Sequence, residues 1–362
     1  MRRSVPLRIA SAGAVLALAA ACASGSSSNG SGGGSNGGSS SGKTIHLGMS
    51  VANISLNFAT EMIDGAKQAV AHSDNVELKV VGPPNTDGPA EERLFETLTE
   101  TATDGIVLEN LDPPIFTRPA ANAVDQGIKV VALDTAPTHG SKVDFYVGND
   151  NYELGATLAK QALKRMPDNP KGTVVVGEPN PGAPVLDSRA EGIKDTFKKE
   201  APHVKVIGPF QTYSDPAQNY GAWLSQVHAH PDALAFLGVG DADSYDLAKI
   251  KKKERGDYLV AGTDVDAKTL EDVKAGLDFC TIDPEHFLKG YIAMKLLIES
   301  NRGTPLPSGW FKTPGLVVDT SNVDEIIKRE KSQKNEYDFY KPQIKKLLSN
   351  VKGHMKPLSE AR

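Results

Sequence analysis

The chain has 362 residues, enough for two domains, and carries 40 Lys and Arg against 45 Asp and Glu, a net charge of -5. Its only basic runs, KIKKKERG (249–256) and KREKSQK (328–334), read as solvated helix faces, which excludes the concentrated basic surface that a nucleic acid needs. No GxxxxGK(S/T) phosphate loop, GxSxG elbow or HExxH pair occurs, so no enzyme, cofactor or metal is expected.

In chain order, Arg2, Arg3 and Arg8 precede an apolar run over 9–21 that ends at Cys22. A basic start and a short apolar stretch make a secretory signal, too short for a stable membrane span. Ala19, Ala20 and Ala21 before Cys22 resemble the lipobox of bacterial lipoproteins, with Leu18 four places ahead of the cysteine where the pattern has three. The alternative is ordinary cleavage near Ala21, releasing a free secreted protein. After Cys22 comes ASGSSSNGSGGGSNGGSSSG, which has no residue able to seed a core. Such a linker of about 20 residues has a root-mean-square span on the order of 25 Å, a tether that lets a domain float above a membrane. Residues 1–21 are therefore expected to be a signal peptide, and 22–42 a lipidated Cys22 with its linker. The other cysteine, Cys280 in LDFCTID, reads as a small buried apolar residue.

From residue 43 the pattern is strand, helix, strand, helix. TIHLGMSV, VELKVVGP, GIVLEN and IKVVALD are strands. FATEMIDGAKQAVAHS, PAEERLFETLTETA and FTRPAANAVDQG are the helices between them, the last closed by Gly127. After DFYVGNDN the rhythm restarts, with strands GTVVVGEP, VKVIGPFQ, ALAFLGVG and YLVAGTDV and intervening helices from YELGATLAKQALKRM to AKTLEDVKAG. Apolar strands alternating with amphipathic helices predict α/β architecture: two doubly wound parallel-sheet lobes with a cleft between them. Ligands favour the carboxyl ends of such strands. There the sequence places Asp134, Glu178, Tyr213, Asp241 and Asp264. Singly, each aspartate also fits a cap on the following helix; their recurrence in both halves favours a shared site.

Other groupings carry less. His228 and His230 end a helix before Pro231 without a third ligand nearby, and DADSYD (241–246) lacks the mid-loop glycine and terminal glutamate of a calcium loop. Asp283 and Glu285 have the residue types of a glycosidase pair, and a chain crossover explains them more simply.

Taken together, LNFATEMIDGAKQAV, DGIVLEN, GIKVVALDTAP, VGNDNYELGATLA, SRAEGIKDTF, AHPDALAFLGVGDADS, VAGTDVDAKTLEDVKAG and FCTIDPEHFLKGYIAMKLL resemble, in order and spacing, the periplasmic binding proteins of the ribose and galactose type. These are solute receptors of bacterial sugar importers. The similarity runs over about residues 43–319. It implies the type I fold, two lobes joined by a three-crossover hinge that closes on a small solute. By that pattern 43–148 with 284–310 form the N-terminal lobe, 149–283 with 311–325 the C-terminal lobe, and 326–362 a helical extension that braces the second lobe or contacts a partner.

The resemblance also assigns ligand-binding residues. Phe58 matches the aromatic that stacks on a sugar ring, with Asn57 beside it as a hydrogen-bond partner. Asp134 matches the strand-end carboxylate, Arg189 the cleft arginine, Tyr213 the second lobe's aromatic and Asp264 its acidic residue. Thr135 stands where relatives that bind ribose have arginine. Gly240 replaces an asparagine, leaving Asp241 or Asp243 to serve. In the return crossover Glu285 is the first candidate and His286 the second. Carboxylates accept hydroxyl protons, arginine donates in a fixed fork, and aromatic faces cover C–H patches, which suits a sugar or polyol. The implied role is that of a monomeric, extracytoplasmic, lipid-anchored receptor delivering solute to an ABC permease. The alternative is a sensor presenting its ligand to a membrane histidine kinase or chemoreceptor.

Overall fold

In the computed structural model the described residues are 43–361; the signal segment, Cys22 and the linker lie outside them. The first half alternates β1 (Ile45–Ser50), α1 (Asn57–Ala71), β2 (Val76–Val81), α2 (Gly88–Thr99), β3 (Gly105–Glu109), α3 (Pro113–Asp125), β4 (Lys129–Leu133) and β5 (Phe145–Gly148). The chain then crosses into α4 (Asn151–Leu163), β6 (Gly172–Glu178), α5 (Pro184–Glu200), β7 (Val204–Gln211), α6 (Pro216–Ala229), β8 (Ala235–Gly238), α7 (Asp243–Glu254), β9 (Leu259–Thr263), α8 (Ala267–Lys274) and β10 (Thr281–Asp283). It returns through α9 (His286–Asn301) and β11 (Gly309–Lys312), crosses again to β12 (Leu316–Val318) and α10 (Val323–Arg329), and ends in α11 (Gln333–Ser349) and the short β13 (Met355–Lys356).

Two sheets result, ordered β13-β11-β5-β4-β3-β1-β2 and β12-β10-β9-β8-β6-β7. Every pairing is parallel except the edge pairs β11 with β13 and β10 with β12. Their central strands are apolar on both faces because helices cover both. Val107, Val131 and Val147 face α1 and α9, whereas Ile106, Val130 and Tyr146 face α2 and α3. In the second sheet Val174 and Val176 face α4 and α5, and Val175 meets Trp223 of α6.

Three connections join the lobes, at 149–150, 284–285 and 313–315, as a hinge requires. β11 lies wholly in the first sheet, so the last connection falls a few residues beyond the predicted 310. The C-terminal segment adds a fourth passage. Val323 and Ile326 of α10 pack in the second lobe against Leu270 and Val273, but Tyr340, Ile344 and Leu347 of α11 belong to the first lobe's core. The extension thus spans the two lobes instead of bracing the second alone.

Glycines set two helix crossings that carry the site. Gly65 of α1 lies against the Phe287 carbonyl of α9, and Gly290 of α9 against the Met62 carbonyl of α1, each too close for a Cβ. Gly155 of α4 and Gly192 of α5 repeat this in the second lobe. These contacts bring α9 and α5 flush to their neighbours, and each of the two helices points a buried cation toward the cleft.

Candidate functional site

Four aspartates in the loops beyond strands cap helices. Asp87, Asp150, Asp215 and Asp266 accept backbone N–H bonds from the first turns of α2, α4, α6 and α8. Asp134 and Asp264 do not. Each directly follows its strand with positive φ, 62° and 70°, a left-handed conformation that aspartate tolerates better than most residues. The Asp134 amide donates to the Val147 carbonyl at 2.9 Å and the Asp264 amide to the Ile282 carbonyl at 2.8 Å. The two lobes therefore turn an aspartate into the cleft by the same local construction.

Both carboxylates are buried and paired. Asp134 accepts from the ammonium of Lys289, which is fully buried in α9. Asp264 lies 2.9 Å from His286 Nε2 and 3.5 Å from an Arg189 guanidinium nitrogen. Arg189, 2% exposed, is itself fixed by donating to Asn151 Oδ1 at 3.0 Å, the Val239 carbonyl at 3.1 Å and Thr263 Oγ1 at 3.3 Å. Burial pushes the Asp134 carboxyl up, but Lys289, His286 and Arg189 together overcome that and hold it at about 2. Burial likewise opposes ionisation of Asp264, and Arg189 and His286 bring it below the usual carboxylate value. Asp241 has no cation against it; burial first, then Asp264 and Asp266, push its carboxyl well up. The site thus sets two carboxylates held ionised by buried cations beside a third carboxyl whose ionisation its burial opposes.

These groups line one interlobe cavity. The first lobe contributes Leu56, Phe58, Leu111, Asp134 and His286, and the second Pro179, Asn180, Arg189, Ser214, Asp241 and Asp264, among others. Phe58 and His286 pack with ring centroids 5.9 Å apart. Asn57 sits at the margin and ties the lobes together: its amide donates to Asp241 Oδ2 at 3.2 Å, and its side chain donates to the Val265 carbonyl and to Glu61.

Of the residues singled out from the sequence, Phe58, Asp134, Arg189, Asp241 and Asp264 converge on this cavity, with Asn57 at its edge. Thr135 does not reach it; its hydroxyl donates to the Asn110 carbonyl and it is buried behind the strand end. Tyr213, with φ of 68°, is 40% exposed outside the cavity, where its neighbour Ser214 forms the wall. Glu285 also turns away. At φ 56° it precedes α9, and its carboxylate accepts from Gln343 of α11 at 3.0 Å, leaving the cavity to His286. Asp243 is spent on Asn219, Trp223 and the Val239 and Gly240 amides, so Asp241 is the one that faces the cleft. Sequence reasoning missed Lys289. Its signal was a lone lysine in the apolar run FLKGYIAM, where burial demands a counter-charge.

The sequence pattern of the periplasmic binding protein domain matches residues 47–304. The chain belongs to the periplasmic binding protein family. Solved members share its architecture. An ABC transporter solute-binding protein from Burkholderia graminis, in complex with D-arabinose, is 26% identical with a TM-score of 0.72, over 77% of this chain and 96% of its own. A glucose-galactose binding protein from Geobacillus stearothermophilus, GanP, is 22% identical with a TM-score of 0.71, over 78% and 99%. A solute-binding protein from Agrobacterium vitis with bound D-fucose is 19% identical with a TM-score of 0.73, over 80% and 99%. No curated protein sequence matches the chain. As a periplasmic binding protein, it owes its interlobe cavity to the family's two-lobed architecture; the residues after 304, the 326–362 extension among them, lie outside the matched region.

Proposed function

We propose that this binding protein is an extracytoplasmic receptor, anchored by lipid at Cys22, that captures a sugar or polyol between its lobes and delivers it to an ABC permease. The observation that carries this reading is the convergence of Asp134 and Asp264, one from each lobe, on a cavity that also holds Arg189 and Phe58. Two ionised acceptors and a fixed guanidinium satisfy vicinal hydroxyls, and Phe58 supplies apolar surface for the opposite face of a ring. The sugars bound by solved relatives support the same chemistry. The single-cysteine signal and its Ser/Gly tether support the anchor.

A thermal-shift screen of the full chain against pentoses, hexoses and polyols tests the ligand class. A ligand at a hundred times its dissociation constant stabilises the native state by about 2.7 kcal/mol. Asp134→Ala and Arg189→Ala should each weaken the best binder tenfold to a hundredfold or more, because a hydrogen bond to a charged group contributes about 1.5–3 kcal/mol. Unchanged affinity in both variants would refute the site. For the anchor, Cys22→Ser should move the protein from the membrane fraction to the soluble one.

A further inference from the structure

His286 opens α9 directly after the 284–285 crossover, is 1% exposed and lines the interlobe cavity. Its Nε2 lies 2.9 Å from Asp264 Oδ1, a bond that joins the first lobe to the second. Its Nδ1 is buried and has no hydrogen-bond partner among the described residues. Buried polar atoms seldom stay unpaired, and this one belongs to a side chain on the cavity wall.

The two ring nitrogens have different states. Against the effect of burial, Arg189 first and His286 next hold Asp264 ionised, and an ionised carboxylate only accepts. Nε2 therefore carries the proton. Burial, then the Lys289 ammonium, lower the pKa of the ring and outweigh the pull of Asp264 and Asp134. The imidazole stays neutral, with a bare lone pair on Nδ1. Asp134 and Asp264 are matched by buried cations, whereas this lone pair is matched by nothing in the chain's described part.

We propose that His286 is a specificity-determining residue of the cleft, its Nδ1 accepting the proton of one ligand hydroxyl, so that the protein selects sugars with a free hydroxyl there over their deoxy, O-methyl and keto forms. The inference rests on the sugar-binding reading and narrows it. One O–H donor satisfies the lone pair; an ether oxygen, a carbonyl or a C–H group in the same place leaves it buried and unpaired. A site built to hydrogen-bond a substrate group rejects analogues that lack it more strongly than an apolar wall does.

Calorimetry tests this with D-arabinose, D-glucose and D-galactose, each beside its monodeoxy analogues, on the full chain and on His286→Phe. In the native chain, loss of one particular hydroxyl is expected to weaken binding about tenfold or more. In His286→Phe the penalty at that position should fall to about twofold or less, while those at other positions persist. Penalties that stay the same at every position in His286→Phe overturn the proposal and leave the sugar reading intact. Failure of all three sugars to bind overturns both. The native chain also decides where the variant does not fold. In nitrogen NMR of its labelled histidine rings, a neutral Nε2–H ring is expected whose bare Nδ1 signal moves upfield on saturation with the sugar that binds. No Nδ1 signal that moves overturns the proposal.

Discussion

Asp134 and Asp264 perform the same task in two lobes, yet their surroundings differ. Asp264 is shared between Arg189 and His286, whereas Asp134 has Lys289 as its principal counter-charge. Removing one member of a buried ion pair leaves an uncompensated charge and costs about 3–5 kcal/mol. Lys289→Met should therefore lower the denaturant midpoint strongly, and the acid limb of ligand binding should move upward in pH as Asp134 loses its cation. Adding Asp134→Asn to Lys289→Met should recover much of the stability. A single variant as stable as the native chain would contradict the pairing. The sequence made the strand-end carboxylates visible as a class but not their division of labour. Asp134 and Asp266 both lie just past strands; only the local backbone, left-handed turn in one case and helical start in the other, decides which faces the cleft and which caps.

At the scale of elements, the C-terminal segment packs against one of the crossovers. Arg329 closes α10, is 2% exposed, and donates to Asp283 Oδ2 at 2.6 Å and to the Tyr340 hydroxyl of α11 at 2.8 Å. Asp283 ends β10 immediately before the 284–285 connection, and Tyr340 stacks on Phe287 of α9 with centroids 5.5 Å apart. One guanidinium thus ties a crossover to the extension. Arg329→Gln leaves Asp283 buried without its partner and should destabilise the chain by about 3–5 kcal/mol, read by urea unfolding. A loss below about 1 kcal/mol, the scale of an exposed pair, would show that the tie is dispensable. The sequence marked the extension as helical, although α11 runs on through Pro342. The destination of α11 was not legible, because an amphipathic face states that it is buried and leaves open against which lobe.

Over the whole molecule, alternation of apolar strands with amphipathic helices revealed two parallel-sheet lobes, since each buried strand must be covered on both faces. The same burial sets the response to pH. Glu91, Glu109 and Glu178 are raised chiefly by burial to about 10, 8 and 9 from an ordinary 4.5. A carboxyl whose folded pKa is raised contributes stability that is full below its unfolded value and declines as pH rises toward the folded one. Asp134 acts oppositely: its contribution is present above about 3.8 and is lost as pH falls through about 2. The ligand-free chain should therefore melt highest in mild acid and lose stability steadily from pH 5 to pH 9. Scanning calorimetry checks this, and Glu109→Gln should flatten the slope. A midpoint that climbs over that interval would contradict the burial of these acids.

The most direct measurement is a crystal structure of the chain grown with its tightest-binding sugar from the thermal-shift panel. The ring is expected between the lobes, with Phe58 against one face and its hydroxyls on Asp134, Asp264 and Arg189. Sugar bound anywhere outside that cleft would contradict the assignment.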